Sequence, residues 1–138
     1  MDWKNLYLSF EGRINRQPFW LGLLAFVIVI WILEFVLFAI FGGDMMNVDP
    51  NASKEAAAAA MQATMGRLWL PLLILALITL WPTLAIYTKR WHDRDKSGWW
   101  SLIMFVPIIG AIWLIIELGF LSGTDGPNRF GDDPLDGK

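Results

Sequence analysis

The stretch Phe19–Phe41, FWLGLLAFVIVIWILEFVLFAIF, decides the fold class: it holds 23 residues and a single charge, Glu34. At a rise of about 1.5 Å per residue, such a helix crosses a hydrocarbon core about 30 Å thick. Two more runs follow. Leu68–Tyr87, LWLPLLILALITLWPTLAIY, has 20 residues and no charge, and Trp99–Leu121, WWSLIMFVPIIGAIWLIIELGFL, has 23 with only Glu117. In a chain of 138 residues these runs leave little room for a soluble domain. The sequence predicts an all-α membrane protein with three transmembrane helices and a short interfacial N-terminal helix.

Composition agrees. The 56% hydrophobic share exceeds the roughly 45–50% of soluble domains. A net charge of −2 supplies no basic field for nucleic acid. The chain has no Cys and one His, so disulfides, thiolate sites and a typical zinc site are not expected, nor is a cofactor. The first run starts only at Phe19 and is too long for a secretory h-region, so it reads as a permanent span.

The layout follows from punctuation. In the first segment, residues 1–18, Trp3, Leu6, Tyr7 and Phe10 share one helical face, Gly12 ends the helix, and Pro18 suits the first turn of span one. The connection 42–67 opens on Gly42-Gly43; a helix is expected from about Pro50, through the Ala56–Ala60 run and into span two, 68–87. Residues 88–98 read as a short charged loop before span three, 99–121. The tail 122–138 holds four Gly, two Pro and four Asp, the composition of turns and solvated loop.

Lys and Arg counts give orientation. The first segment and the charged loop carry seven basic residues; Lys54, Arg67, Arg129 and Lys138 make four on the other side. Three full spans then place the N-terminus in the cytoplasm and the C-terminus in the periplasm. A third run doubled back at Pro107-Ile108-Ile109-Gly110 would change the count to nine against two. Because re-entrant backbone needs protein cover, three full spans are preferred.

Under that topology Arg13, Arg16, Arg90, His92 and Asp93 meet at one interface beside Trp20, Trp99 and Trp100. An aromatic belt with positive-inside charges explains such a set without further function. The functional alternative is a cluster in which Asp93 or Asp95 pairs with an arginine and the remaining cations face anionic lipid headgroups or a protein partner. His92 lacks companion ligands and is read as a hydrogen-bonding residue. Glu34 lies seven residues, roughly 10 Å, from the outer end of span one, and an ionisable group at that depth is a functional candidate. Arg67 is in reach to snorkel toward it, and Thr79 and Thr83 would continue a path. Glu117 is expected at the outer interface.

Three blocks carry a resemblance. Phe10-x-Gly12-Arg13-x-x-Arg16-x-x-Phe19-Trp20 comes first. Arg90-x-His92-Asp93-x-x-x-Ser97-Gly98-Trp99-Trp100 follows, and then Gly126-x-Asn128-x-Phe130-Gly131-x-Asp133-Pro134. In this order they resemble the domain of unknown function 805 family of small bacterial inner-membrane proteins. The resemblance implies that location and brings no activity, cofactor or catalytic residue. In the tail block, Asn128, Phe130, Gly131 and Asp133 lack the register of a calcium loop and are read as turn and anchor residues. The expected function is a non-enzymatic component binding lipid headgroups or a membrane protein, as a homo-oligomer or within a complex. The alternative is a small transporter or channel subunit with Glu34 on the path.

Overall fold

The computed structural model describes residues 1–136. Helices account for the long elements: α1 (Trp3–Leu8), α2 (Arg16–Phe41), α3 (Gly43–Met46) and α4 (Lys54–Asp93). A 3₁₀ helix (Gly98–Phe105), α5 (Ile109–Leu114) and a π-helical turn (Ile115–Phe120) complete the chain, with no extended strand among the described residues. Two helices, α2 and α4, are long and apolar enough to cross a membrane. The chain divides into two compact units: Met1–Ala25 with the described residues from Leu80 onward, and Phe26–Thr79.

Local chemistry sets the helix ends. Asp2 caps α1 by accepting from the Asn5 amide at 3.1 Å. Ser53 starts α4, its hydroxyl accepting from Ala56 N at 3.2 Å. From there α4 runs unbroken through the alanine stretch, Pro71 and Pro82. It continues to Asp93, so the charged loop shrinks from the expected 88–98 to the four residues Arg94–Ser97.

The third apolar run departs from expectation. It is not one helix but a hairpin whose ends are tied together. Lys96 is ion-paired with Glu117, Arg94 Nε lies 3.3 Å from the same carboxylate, and Arg90 Nε donates to Leu118 O at 2.7 Å. The expected third span is therefore corrected to two short arms, and Glu117 belongs with the charged loop rather than at an outer interface. The cause is local. Pro107 has no N–H to continue a helix, and Ile108 adopts φ +64°, ψ −61° while Ile109 N donates to Pro107 O at 2.7 Å, a γ-turn. Gly110 lets the arms touch, because a Cβ there would fall inside contact distance of the Ile103 carbonyl. The tip satisfies its amides internally: Val106 N donates to Ile103 O (3.0 Å), Gly110 N to Val106 O (2.9 Å) and Ile112 N to Ile108 O (3.1 Å). That arrangement supplies from within the chain what hydrocarbon cannot.

In the first unit, the buried apolar cluster comprises Leu6, Phe19, Ile86, Trp91, Leu114 and Leu118. It joins α1, the start of α2, the end of α4 and the hairpin. Tyr7 OH donates to Gly22 O at 2.8 Å, and Gly22 leaves room for Leu6. In the second unit, Thr64 is buried and accepts from Met45 N at 3.3 Å, and Arg67 pairs with Asp44 at 2.6 Å. Arg67 thus turns to Asp44, not to Glu34.

Candidate functional site

The end of α4 organises the site. Lys89 is buried, with Nζ donating to Leu6 O at 2.7 Å and also to Asn5 O. These carbonyls lie in the last turn of α1, where helices leave C=O groups unpaired and favour a cation. One residue on, Arg90 is fully buried and pairs with Asp93. Asp93 also receives Arg13, whose Nη2 lies 3.1 Å from Oδ1 and whose Nε lies 3.3 Å away. One carboxylate therefore holds two guanidiniums, and all three side chains are almost wholly buried.

The surplus positive charge meets carbonyl oxygens. Four consecutive carbonyls at the end of the hairpin are each reached by a side-chain donor. Arg90 takes Leu118 O and Leu121 O, Trp20 Nε1 takes Gly119 O at 3.1 Å, and Arg16 takes Phe120 O at 3.1 Å. Arg94 then donates to Ser122 O. A helix end leaves its last four carbonyls unpaired, and here side chains from α2 and α4 satisfy them.

The tail is folded onto the same end. Arg13 donates to Gly126 O (2.8 Å), Thr124 O (2.8 Å) and Gly131 O (3.2 Å). Asn128 Nδ2 donates to His92 O and Thr124 Oγ1, while its Oδ1 accepts from Phe130 N at 2.9 Å. Phe130 stacks on the His92 ring with centroids 3.8 Å apart, and His92 Nδ1 lies 3.1 Å from Gly12 O. Asp133 accepts from Leu135 N and Gly126 N, each lowering its carboxyl below the usual range. The tail, expected across the membrane from Arg13, instead lies against it. Lys138, counted with that tail, lies outside the described residues.

The sequence candidates thus fall into groups. Arg13, Arg90, His92, Asp93, Asn128, Phe130, Gly131 and Asp133 form one polar hub. Arg16 joins its rim through Phe120 O, not through Asp93. Trp100 lies against Trp91 and Lys96, whereas Trp99 points largely outward, 77% exposed. Glu34 stands exposed on α2 in the other unit, and Thr79 donates to Leu75 O within its own helix. Sequence reasoning missed Lys89, Thr124 and the Lys96–Glu117–Arg94 tie. The signal for the tie was present in a charged loop placed before a run whose single charge is acidic.

A family model described as a protein of unknown function, DUF805, matches residues 7–132. The chain belongs to the DUF805 family. Among its relatives, the inner membrane protein YhaI of Escherichia coli K12 is 36% identical over 96% of this chain and 91% of its own length. The inner membrane protein YhaH of the same strain is 35% identical over 97% of both chains. The uncharacterized protein YiiR is 28% identical over 94% of this chain and 88% of its own. No solved structure matches. With its apolar helices and these relatives, this DUF805 chain is an inner-membrane protein. Its three sequence blocks, far apart along the chain, supply Arg13, Arg90, Asp93, Asn128 and the Gly126 and Gly131 carbonyls of the single hub, while Leu118, Leu121 and Thr124 lie between the second and third.

Proposed function

We propose that this DUF805 protein is a non-enzymatic inner-membrane component that binds anionic lipid headgroups around the rim of the hub. The observation that carries this reading is the division among its cations. Arg13 and Arg90 are buried and saturated by Asp93 and carbonyls, whereas Lys4, Arg16 and Arg129 are exposed; Arg16 gives one bond to Phe120 O and Arg129 pairs at the surface with Asp95, a contact worth little against a headgroup phosphate. Exposed Trp3, Trp20, Trp99, Trp100 and Phe120 belong to the same unit, a set suited to the headgroup level. His92 supports a structural role, since its ring faces Gly12 O and stacks on Phe130.

Two spans and a hairpin returning to its starting side put nine basic residues against two, with both chain ends cytoplasmic. Cysteines placed singly at Asp2 and Asp136 should resist a membrane-impermeant thiol reagent in intact spheroplasts, while one at Ala58 reacts. Labelling at Asp136 but not Asp2 would sink this topology.

Headgroup binding is tested in nanodiscs of phosphatidylethanolamine and phosphatidylglycerol, with retained lipids identified by native mass spectrometry. Wild type should retain phosphatidylglycerol above its bulk share. A basic residue near an anionic surface contributes about 1 kcal/mol, so Lys4→Gln with Arg129→Gln should weaken that preference by about five-fold per cation. Retention in proportion to bulk composition would refute the proposal.

A further inference from the structure

Leu84, Thr88 and His92 recur every four residues on α4 and share one face. The 3₁₀ helix repeats every three residues, which aligns Gly98 with Ser101 and Trp99 with Leu102. Between these faces, with Phe10 as a further wall, lies a cleft of about 390 Å³, within the range of small-molecule sites. Gly98 sets its floor, since a Cβ there would lie 2.5 Å from Thr88 Cγ2 and force the elements apart.

The walls are amphiphilic and uncharged. Phe10, Leu84, Trp99 and Leu102 give apolar surface; Thr88, Ser97 and Ser101 give hydroxyls, and His92 an imidazole. No carboxylate, lysine or arginine lines the cleft among the described residues, so a phosphate has no counter-charge there. Ser101 is 1% exposed, and its hydroxyl has no hydrogen-bond partner among the described residues. A buried hydroxyl in that state is unfavourable until an acceptor reaches it. His92 offers the complement. Gly12 O can only accept, so the neutral ring carries its proton on Nδ1 and keeps a lone pair on Nε2.

We infer that this cleft binds an uncharged glycerolipid of the diacylglycerol class, with an ester carbonyl accepting from Ser101 and the free hydroxyl donating to His92. The apolar tails run past Leu84 and Leu102. The site is distinct from the rim cations, and either can fail without the other.

The experiment is thermal unfolding of the purified full chain in detergent, titrated with dioctanoylglycerol, decylubiquinone or dioctanoyl-phosphatidylglycerol. Ligand that binds only the folded chain raises the unfolding temperature with concentration. Wild type should respond to dioctanoylglycerol. Ser101→Ala should unfold at or above the wild-type temperature without ligand, because the hydroxyl has no protein partner, yet bind about five-fold more weakly. Leu102→Trp, which fills the cleft from an exposed position, should abolish the response. No rise in wild type, an equal rise in both variants, or a rise with decylubiquinone alone would overturn the inference.

Discussion

Replacing Asp93 with alanine removes the one carboxylate shared by Arg13 and Arg90, both almost wholly buried. Breaking a buried ion pair from one side costs about 3–5 kcal/mol, because the remaining charge stays desolvated. Two guanidiniums are stranded, which pushes toward the upper end. Against this, Arg13 keeps its bonds to Thr124, Gly126 and Gly131, and Arg90 keeps Leu118 O and Leu121 O. Those carbonyls soften the loss, so about 4 kcal/mol is expected, a large part of the 5–15 kcal/mol typical of a folded domain. The assay is reversible unfolding in mixed micelles titrated with a denaturing detergent. Asp93→Asn, which keeps shape and one acceptor, should fall between wild type and alanine. Arg13→Met in the Asp93→Ala background should recover part of the loss, since it removes one stranded charge. A loss below about 1 kcal/mol for Asp93→Ala would refute the idea that this carboxylate neutralises the hub.

Gly110→Ala should be more damaging than Gly98→Ala, because its Cβ meets backbone at Ile103 while that of Gly98 meets the Thr88 side chain. Overpacking of the latter kind costs about 1–3 kcal/mol, read as the difference in unfolding free energy; a reversed order would contradict the hairpin geometry. Ile108→Gly should stabilise by about 1 kcal/mol, since φ +64° is unfavourable for an L-residue, and a destabilised variant would refute the γ-turn. Asp133 titrates lower in the folded chain than in an unfolded one, so its contribution is present above the ordinary Asp range and is lost as pH falls through the folded value. The Gly126 amide resonance should shift below about pH 3.9 in wild type and not in Asp133→Asn.

The two long apolar helices were legible because runs of 23 and 20 apolar residues admit few arrangements in hydrocarbon, though α4 starts well before the second run and ends after it. The third run has the same composition whether it crosses once or turns back. Pro107 and Gly110 marked the turn, but the decision came from charges outside the run: Lys96 and Arg94 reach Glu117, and sequence spacing does not encode that return. The tail misled for a related reason. Its Gly, Pro and Asp content reads as solvated loop, yet the backbone carbonyls of Thr124, Gly126 and Gly131 are what Arg13 requires, and carbonyls leave no mark in a sequence. The hub's side chains were legible as a charged and aromatic set; their division into buried and exposed members was not.

Arg13 precedes its carbonyl partners in the tail by 111–118 residues. At roughly 5–20 residues per second, a ribosome needs about 6–24 s to supply them all after Arg13 is made. During that interval the first segment carries a guanidinium whose burial site does not yet exist, so the hub closes late in biogenesis. A chain stopped before Thr124 would keep Asp93 for both arginines but leave Arg13 without Thr124 O, Gly126 O and Gly131 O, and a tag joined after the tail is tolerated only if Phe130 and Gly131 still seat. The polar tail is therefore the last-made part of what Arg13 needs to be buried.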